Sequence, residues 1–158
     1  MNETPIDAPE PARLVIFAIG NRARGDDAAA PLLLDRLAAH AIGGVRLEEC
    51  YQLAPEHVDD AAGGAEVLFM DASHRFAAGH RLSEVRPQAD HAFTTHALSP
   101  GALLTLFERV YGRPAPRARL LEIGAERFDL GADLSPRCAA NLAAVWPALV
   151  AIIGIADA

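Results

Sequence analysis

Short apolar runs separated by helical patterns constrain the fold more than any other feature of this sequence. The runs are RLVIFAI at residues 13–19, EVLFM at residues 66–70 and RLLEI at residues 119–123. Continuous apolar runs of this length predict strands that are buried on both faces, as in a parallel sheet. Two further strands are predicted at residues 45–53 and at residues 80–86, where polar and apolar residues alternate as in an exposed or edge strand.

Helical patterns fill the intervals between these strands. Residues 28–39 place leucines at helical spacing, and a shorter helix is predicted at residues 55–62. Ser99 and Ser135 each precede a proline, which is typical of a capping serine before the first helical turn. The helix after Ser99 carries apolar residues on one predicted face: Leu103, Leu104, Phe107, Val110 and Tyr111. The alternation predicts an α/β fold, a single three-layer domain whose twisted, mostly parallel five-stranded sheet has helices on both faces.

The composition agrees with one acidic domain. The 158 residues are 51% hydrophobic with a net charge of −7, which allows one substantial core. Every basic residue is arginine and none is clustered, so we expect no nucleic-acid partner. Cys50 and Cys138 are too few for a disulfide framework or a thiolate metal cage, and we expect both to be buried among apolar residues in a reducing cytoplasm.

The two ends of the chain carry further expectations. Residues 1–12 lack the basic and apolar regions of a signal peptide, so we expect a disordered leader before a single domain at residues 13–156. Residues 138–156 carry no formal charge and raise the question of a membrane span. They contain Asn141 and Pro147 and follow a helix-start signal, so we expect a buried terminal helix and no membrane partner.

Ligands of such sheets bind at the carboxyl ends of the strands. Asp26 and Asp27 follow the first predicted strand, Asp71 ends the third, and His96 lies shortly before a predicted helix. A carboxylate that ends a buried strand is costly without a partner. Two carboxylates and an imidazole that converge would form a site for nickel, zinc or manganese.

Each acidic candidate also has a structural interpretation. We expect Asp26 only to cap the following helix or to be solvated. Asp27 fits a helix cap and a ligand equally well, and both alternatives stay open. Asp71 is expected to be functional because carboxylates at strand ends face the crevice.

The other polar candidates are histidines and arginines. His40 and His57 lie in or near helices and are expected to be structural, whereas His74 and His80 flank the loop after Asp71 and stay candidates. Arg22 and Arg24 are expected either to face solvent or to bind an anionic group of a partner.

The order of these motifs resembles a known family. The motifs are IGNRARGDD at residues 19–27, YQLAPE at residues 51–56, VLFMDA at residues 67–72 and THALSP at residues 95–100, with weaker similarity at residues 126–136. Together they resemble the hydrogenase maturation proteases over nearly the whole chain after residue 12. The Gln-Leu and Ser-Pro variants are most similar to members that serve soluble, multi-subunit nickel–iron hydrogenases.

This resemblance implies a cytoplasmic endopeptidase that removes a short C-terminal extension from the precursor of a hydrogenase large subunit after nickel insertion. It implies that Asp27, Asp71 and His96 contact the metal and that Asp27 and Asp71 are catalytic. The metal would be the nickel of the precursor itself, although another divalent ion could occupy the isolated protein. We expect a monomer whose partner is the precursor.

The implied chemistry has two forms. The metal either polarises the scissile carbonyl or lowers the pKa of a bound water from about 15.7 toward about 7. Asp26 or Asp71 would then move the proton. The sequence departs from the family pattern at Ala23, where leucine is frequent, and at residues 28–30, where alanines replace glycines that would allow a close backbone approach.

Three alternatives compete with this interpretation. A phosphoacceptor receiver domain has a similar arrangement of acids but needs a lysine near the end of its last strand, and this sequence contains no lysine. A dinucleotide-binding domain is disfavoured because residues 20–25 do not form GxGxxG. The third alternative is a non-cleaving protein of the same fold that binds a maturation partner, and the alanines at residues 28–30 keep it open.

Overall fold

The computed structural model describes residues 10–90 and 97–155. The strands are β1 (Ala12–Ile19), β2 (Val45–Cys50), β3 (Gly64–Ser73), β4 (His80–Val85) and β5 (Arg117–Gly124). The helices are α1 (Ala29–Ala38), α2 (His57–Ala62), α3 (Pro100–Tyr111) and α4 (Pro136–Ile153), and a 3₁₀ turn at Gly25–Ala28 leads into α1.

The five strands form one sheet in the order β2-β1-β3-β5-β4. The first four are parallel, and β4 is an antiparallel edge strand. The predicted mostly parallel five-stranded sheet and its exposed edge strand are therefore confirmed. The register places Asp71 of β3 beside Ile19 of β1 and Glu122 of β5, so the ends of these three strands meet at one edge of the sheet.

A separate apolar core covers each face of the sheet. Even-numbered residues of β1, such as Ile16, pack with α1 and α4, whereas odd-numbered residues, such as Phe17, pack with α2 and α3. Successive side chains of a strand point to opposite faces. A strand that is covered on both faces must therefore be apolar throughout, which explains the continuous runs in the sequence.

The predicted capping roles of Ser99 and Ser135 and the predicted end of α3 at Gly112 are confirmed. The Oγ atoms of Ser99 and Ser135 accept hydrogen bonds of 3.1 Å from the backbone N–H groups of Ala102 and Cys138. Gly112 ends α3 in the left-handed conformation, which glycine adopts without steric cost. These local interactions fix both ends of α3 and the start of α4.

Several boundaries differ from the prediction. Strand β3 continues through Asp71 to Ser73, and β2 ends at Cys50. The predicted apolar face of α3 is wrong at its last turn, where Val110 is 59% and Tyr111 39% exposed. Neither residue belongs to the core on this face of the sheet, and the Tyr111 hydroxyl instead donates a 2.6 Å hydrogen bond to Asp59 of α2.

The C-terminal helix α4 packs one stripe of side chains against α1 and β5, with Cys138, Val145 and Leu149 fully buried. By length and composition alone, it is the one helix in the described ranges that could cross a membrane. The expected burial therefore applies to this stripe and not to the whole helix. Residues 1–9 lie outside the described residues, so the leader and the domain boundaries stay predictions.

Candidate active site

Two carboxylates line one cavity at the carboxyl ends of β1 and β3. The cavity has a volume of about 300 Å³, and Asp27 and Asp71 are its acidic lining residues. Asp27 reaches it from the 3₁₀ turn after β1, and Asp71 from the end of β3. The remaining lining residues are Ile19, Tyr51, Gln52, Leu53, Ala72, His74, Ala97, Leu98, Ser99 and Pro100. We refer to this space as the active-site cavity.

The environment of Asp71 favours its protonated form. Burial is the main cause, the charge of Asp27 adds to it, and together they raise the pKa of Asp71 to about 7. Glu122 also raises this pKa, while a hydrogen bond from the Ala72 backbone N–H opposes the shift. Near neutral pH the Asp71 carboxyl therefore exchanges readily between its protonated and ionised forms. It can act as an acid or a base, and a nearby cation would favour its ionised form.

The backbone between β1 and the 3₁₀ turn fixes Asp27. Its Oδ2 accepts a 2.7 Å hydrogen bond from the Asn21 backbone N–H. Gly20 has a φ of +151°, and a Cβ atom there would lie 2.0 Å from the carbonyl oxygen of Asp27. No residue with a side chain fits this contact. The Gly-Asn pair of the sequence motif therefore has a structural role. Gly20 lets the chain pass close to Asp27, and the Asn21 backbone N–H orients the Asp27 carboxylate.

Asp26 differs from both roles that the sequence predicts for it. It is fully buried, and no side-chain hydrogen bond from it caps the helical segment that follows, so the expected cap or solvated residue is wrong. Its carboxylate accepts hydrogen bonds of 2.7–3.0 Å from the backbone N–H groups of Glu126, Arg127 and Ser135, and one of 2.8 Å from the Ser135 hydroxyl. Asp26 thereby ties the loop after β1 to the loop after β5.

The same contacts remove Asp26 from the proton-transfer candidates. Burial raises its pKa, but the hydrogen bonds from Glu126, Ser135 and Arg127 outweigh burial and hold the pKa below its usual value. Asp26 is also absent from the lining of the active-site cavity. A carboxylate that accepts four hydrogen bonds and does not line the cavity has a structural function.

The alanines that depart from the family pattern fit their positions. Residues 28–30 are buried where the 3₁₀ turn passes into α1, and Ala29 and Ala30 belong to the core that also contains residues of α4. The close backbone approach in this loop occurs at Gly25, whose φ is +55° and whose Cβ atom would lie 2.6 Å from the carbonyl oxygen of Arg127. The loop therefore keeps glycine where the structure requires it.

The third predicted metal ligand, His96, lies outside the described residues, as does His91. Ala97, the next residue in the chain after His96, lines the active-site cavity. Within residues 10–90 and 97–155, no group of three or more His, Cys, Asp or Glu side chains is arranged to hold a metal ion. Two of the three predicted ligands are therefore brought to one cavity, and the set of Asp27, Asp71 and His96 stays a prediction.

The remaining histidines have different surroundings. His74 lines the active-site cavity and stacks on Phe128 with ring centroids 3.8 Å apart. His57 accepts a 2.8 Å hydrogen bond from the Ala54 backbone N–H at Nδ1, and Nδ1 of His40 lies 2.8 Å from the Arg36 carbonyl oxygen. These local contacts give His40 and His57 structural roles. His80 begins the edge strand β4 and is exposed, away from the cavity lining.

The candidate arginines are engaged within the chain. Arg22 donates hydrogen bonds to the carboxylates of Asp35 and Glu49, which join α1 to β2, and this leaves it poorly suited to bind an anion of a partner. Arg24 donates from Nε to the Phe128 carbonyl oxygen at 3.2 Å.

The two cysteines are unsuited to bind metal as thiolates. Burial raises the pKa of the Cys138 thiol to about 12 and that of the partly buried Cys50 thiol to about 11. Both therefore carry their protons at neutral pH.

Sequence reasoning missed Glu122, which lies beside Asp71 in the register of the sheet. It is 7% exposed, and its Oε1 accepts a 2.5 Å hydrogen bond from Nη2 of Arg75. The signal in the sequence was a single acidic residue inside the apolar run at residues 119–123, at the carboxyl end of a strand that is buried on both faces.

The fold is similar to solved structures of hydrogenase maturation proteases. One is the NiFe hydrogenase maturation protease HycI from Thermococcus kodakarensis KOD1, with a TM-score of 0.70 and 23% identity over 91% of this chain and 94% of that chain. Another is the hydrogenase maturating endopeptidase HybD from E. coli, with a TM-score of 0.70 and 19% identity over 90% of this chain and 92% of that chain. A third, the NiFe hydrogenase maturation protease HybD from Thermococcus kodakarensis, gives a TM-score of 0.64 and 21% identity over 89% of this chain and 99% of that chain.

No protein-family model and no curated protein sequence matches the chain. The structural similarities nevertheless extend over nearly the full length of both partners in each comparison. The predicted resemblance to the hydrogenase maturation proteases is confirmed at the level of the fold.

Proposed function

We propose that this protein is an endopeptidase of the hydrogenase maturation protease family, a peptide-bond hydrolase that removes the C-terminal extension from the precursor of a nickel–iron hydrogenase large subunit. The observation that carries the proposal is the meeting of Asp27 and Asp71 in one cavity at the strand ends. The similarity of the fold to solved maturation proteases supports the reaction class. The protein acts in the cytoplasm as a monomer whose partner is the precursor.

Asp27, Asp71 and His96 are the proposed contacts of the nickel ion that arrives with the precursor. Carboxylates and imidazole are suitable ligands for a divalent ion of this kind. Burial and the charge of Asp27 both disfavour the ionised form of Asp71, and a divalent cation between the carboxylates would relieve that cost. When bound, the ion supplies Lewis-acid polarisation of the scissile carbonyl. In the isolated protein the same residues would accept another divalent metal.

Asp27, Asp71 and His74 have different proposed roles in the reaction. Asp27 is held by Asn21 in one orientation and contributes a fixed negative charge. Asp71 is the proposed base that accepts a proton from the attacking water and returns one to the leaving amine. His74 lines the same cavity and contacts the substrate near the scissile bond.

The alternative of a non-cleaving partner-binding protein was motivated by the alanines at residues 28–30, which are buried and do not line the active-site cavity. It stays distinguishable by experiment. A protein of that kind would bind the precursor and leave its mass unchanged.

The decisive experiment incubates the purified protein with nickel-loaded and nickel-free precursor and measures product masses. We expect the nickel-loaded precursor alone to lose a C-terminal peptide. The variants D27N and H96A should abolish this cleavage, while H80A, a matched histidine variant outside the cavity, should cleave like the wild type. An unchanged precursor mass with wild-type protein, or normal cleavage by both D27N and H96A, would overturn the proposal.

A further inference from the structure

A second cavity adjoins the active-site cavity. Its volume is about 470 Å³, and it lies between β4, β5 and the start of α3. Ser99 and Pro100 line both cavities, so the two spaces meet at the N-terminus of α3. Pockets of several hundred cubic ångströms hold ligands of the size of a short peptide segment. A peptide that is bound at Asp71 and extends past Ser99 and Pro100 would enter the second cavity.

Arg75 stands at the wall of this second cavity and is held from beneath by Glu122. The Ser73 hydroxyl links the two residues, because it donates to Glu122 Oε1 at 3.4 Å and accepts the Arg75 backbone N–H at 3.2 Å. The Arg75 side chain is 67% exposed, in contrast to the buried carboxylate below it. Burying a carboxylate is costly, and a partner that is used only for stability would be expected to be buried as well.

Most N–H groups of the Arg75 guanidinium have no hydrogen-bond partner in the described part of the chain. Within the described part of the chain, its guanidinium donates from Nη2 to Glu122 and from no other atom. A guanidinium carries five N–H donors in a rigid plane. Glu122 anchors the guanidinium at Nη2, so ordering the remaining donors of this cavity-lining residue costs less entropy than ordering a free arginine.

The charges around Arg75 select the kind of acceptor it takes. Glu122 balances its charge. The other charged residues that line the cavity are Arg86, Glu84 and Asp90, so negative charge exceeds positive charge and a further anion is disfavoured. Neutral oxygen atoms remain as acceptors, and an extended peptide offers a carbonyl oxygen at every residue. We infer that Arg75 binds main-chain carbonyl oxygens of the precursor segment beside the scissile bond, with Glu122 as its positioning residue. This inference rests on the proposed function.

The test compares Arg75→Met with Arg81→Met, a matched arginine variant on β4 outside both cavities. Loss of one or two hydrogen bonds to a charged group predicts an increase in KM for the nickel-loaded precursor of about 10-fold, with kcat within about twofold. Precursor binding, measured by titration without turnover, should weaken by the same factor. R81M should match the wild type in all three quantities.

Glu122→Gln supplies the second arm, because it keeps the shape of the side chain and one acceptor atom while removing the charge. We expect a KM increase of about 3-fold in the wild-type background and none in the R75M background, since Glu122 affects binding through Arg75. Its charge also acts on Asp71 in both backgrounds, and that effect would appear in kcat. A purely structural role of Glu122 would produce the same change in both backgrounds, and that result would overturn its positioning role.

The outcomes separate this inference from the proposed function. An R75M protein that binds and cleaves like R81M would overturn the inference and leave the protease intact. A wild-type protein that binds the precursor without cutting it would overturn the proposed function, and the binding titration would still decide the role of Arg75. A wild-type protein that neither binds nor cuts would overturn both.

Discussion

Asp26 and Asp27 are adjacent in sequence, yet the structure predicts opposite consequences for the same substitution at the two positions. Asp26→Ala removes the acceptor for four hydrogen bonds. The backbone N–H and hydroxyl of Ser135 would be left buried without a partner, at about 1–3 kcal/mol each. The expected loss in the free energy of unfolding is therefore about 2–6 kcal/mol, which is a large share of the 5–15 kcal/mol typical of a domain.

Asp27→Ala is the matched control. It removes one partly buried hydrogen bond from Asn21, worth about 0.5–1.5 kcal/mol, and also removes a charge that opposes the ionisation of Asp71. These effects partly cancel, so we expect a stability within about 1 kcal/mol of the wild type. Cleavage should show the reverse order: D27A loses activity, whereas D26A loses only part of it at temperatures where it is folded, because Asp26 acts by holding Asp27 in place.

Urea unfolding followed by tryptophan fluorescence measures the difference directly. Trp146 is the one tryptophan in the sequence and lies in α4, the helix that begins at the clamped Ser135. Because the pKa of Asp26 is lowered in the folded state, its contribution is complete above the unfolded pKa of about 3.9 and is lost as the pH falls through the lower folded value. The difference in the free energy of unfolding between the wild type and D26A should thus be constant from pH 8 to about pH 5. It should shrink below about pH 4. A D26A protein within 1 kcal/mol of the wild type at pH 7 would refute the role of Asp26 as a clamp.

Three further outcomes are expected. Gly20→Ala should abolish cleavage in the mass assay, because its Cβ atom would collide with the carbonyl oxygen of Asp27. The control Gly131→Ala changes a glycine with a φ of +79° whose added Cβ atom would meet no neighbouring atom of the described residues, so it should cost only about 1–2 kcal/mol of stability and stay active. With a chelator present, Asp71→Asn should gain stability relative to the wild type as the pH rises from about 4 to 7. The reason is that the folded wild type retains a proton on Asp71 that the unfolded chain releases. A difference in the free energy of unfolding that does not change across this pH range would contradict the prediction. Arg22→Ala should cost no more than about 1–2 kcal/mol in the same unfolding assay, since both of its ion pairs are partly exposed, and a larger loss would show that they are critical.

The features that the sequence predicted are those with local or periodic causes. Strands that are buried on both faces must be apolar throughout, and Ser99 and Ser135 cap their helices through atoms only three residues away. The cavity was also predictable in outline, because parallel strands bring their carboxyl ends together. Asp71 could be selected from its position at a strand end alone, whereas the choice of Asp27 as its partner rested on the family resemblance.

The features that escaped prediction depend on distant contacts. The hydrogen-bond partners of Asp26 lie 100 to 109 residues away in the chain, so nothing near it in sequence distinguishes a clamp from a helix cap. Glu122 and Arg75 are likewise 47 residues apart and meet only because β3 and β5 are neighbours. Such pairs become visible only when the order of the strands is known.

The geometry of the 3₁₀ turn explains why the motif contains two acids in succession. With about three residues per turn, consecutive side chains point roughly 120° apart. Asp26 can therefore face the loop between β5 and α4 while Asp27 faces the cavity. The clamp at Asp26 holds one side of the turn, and the contact between Gly20 and the Asp27 carbonyl restricts the other. An Asp27 carboxylate fixed on both sides loses little freedom when it binds a cation, so the first acid contributes to the site by keeping the second in place.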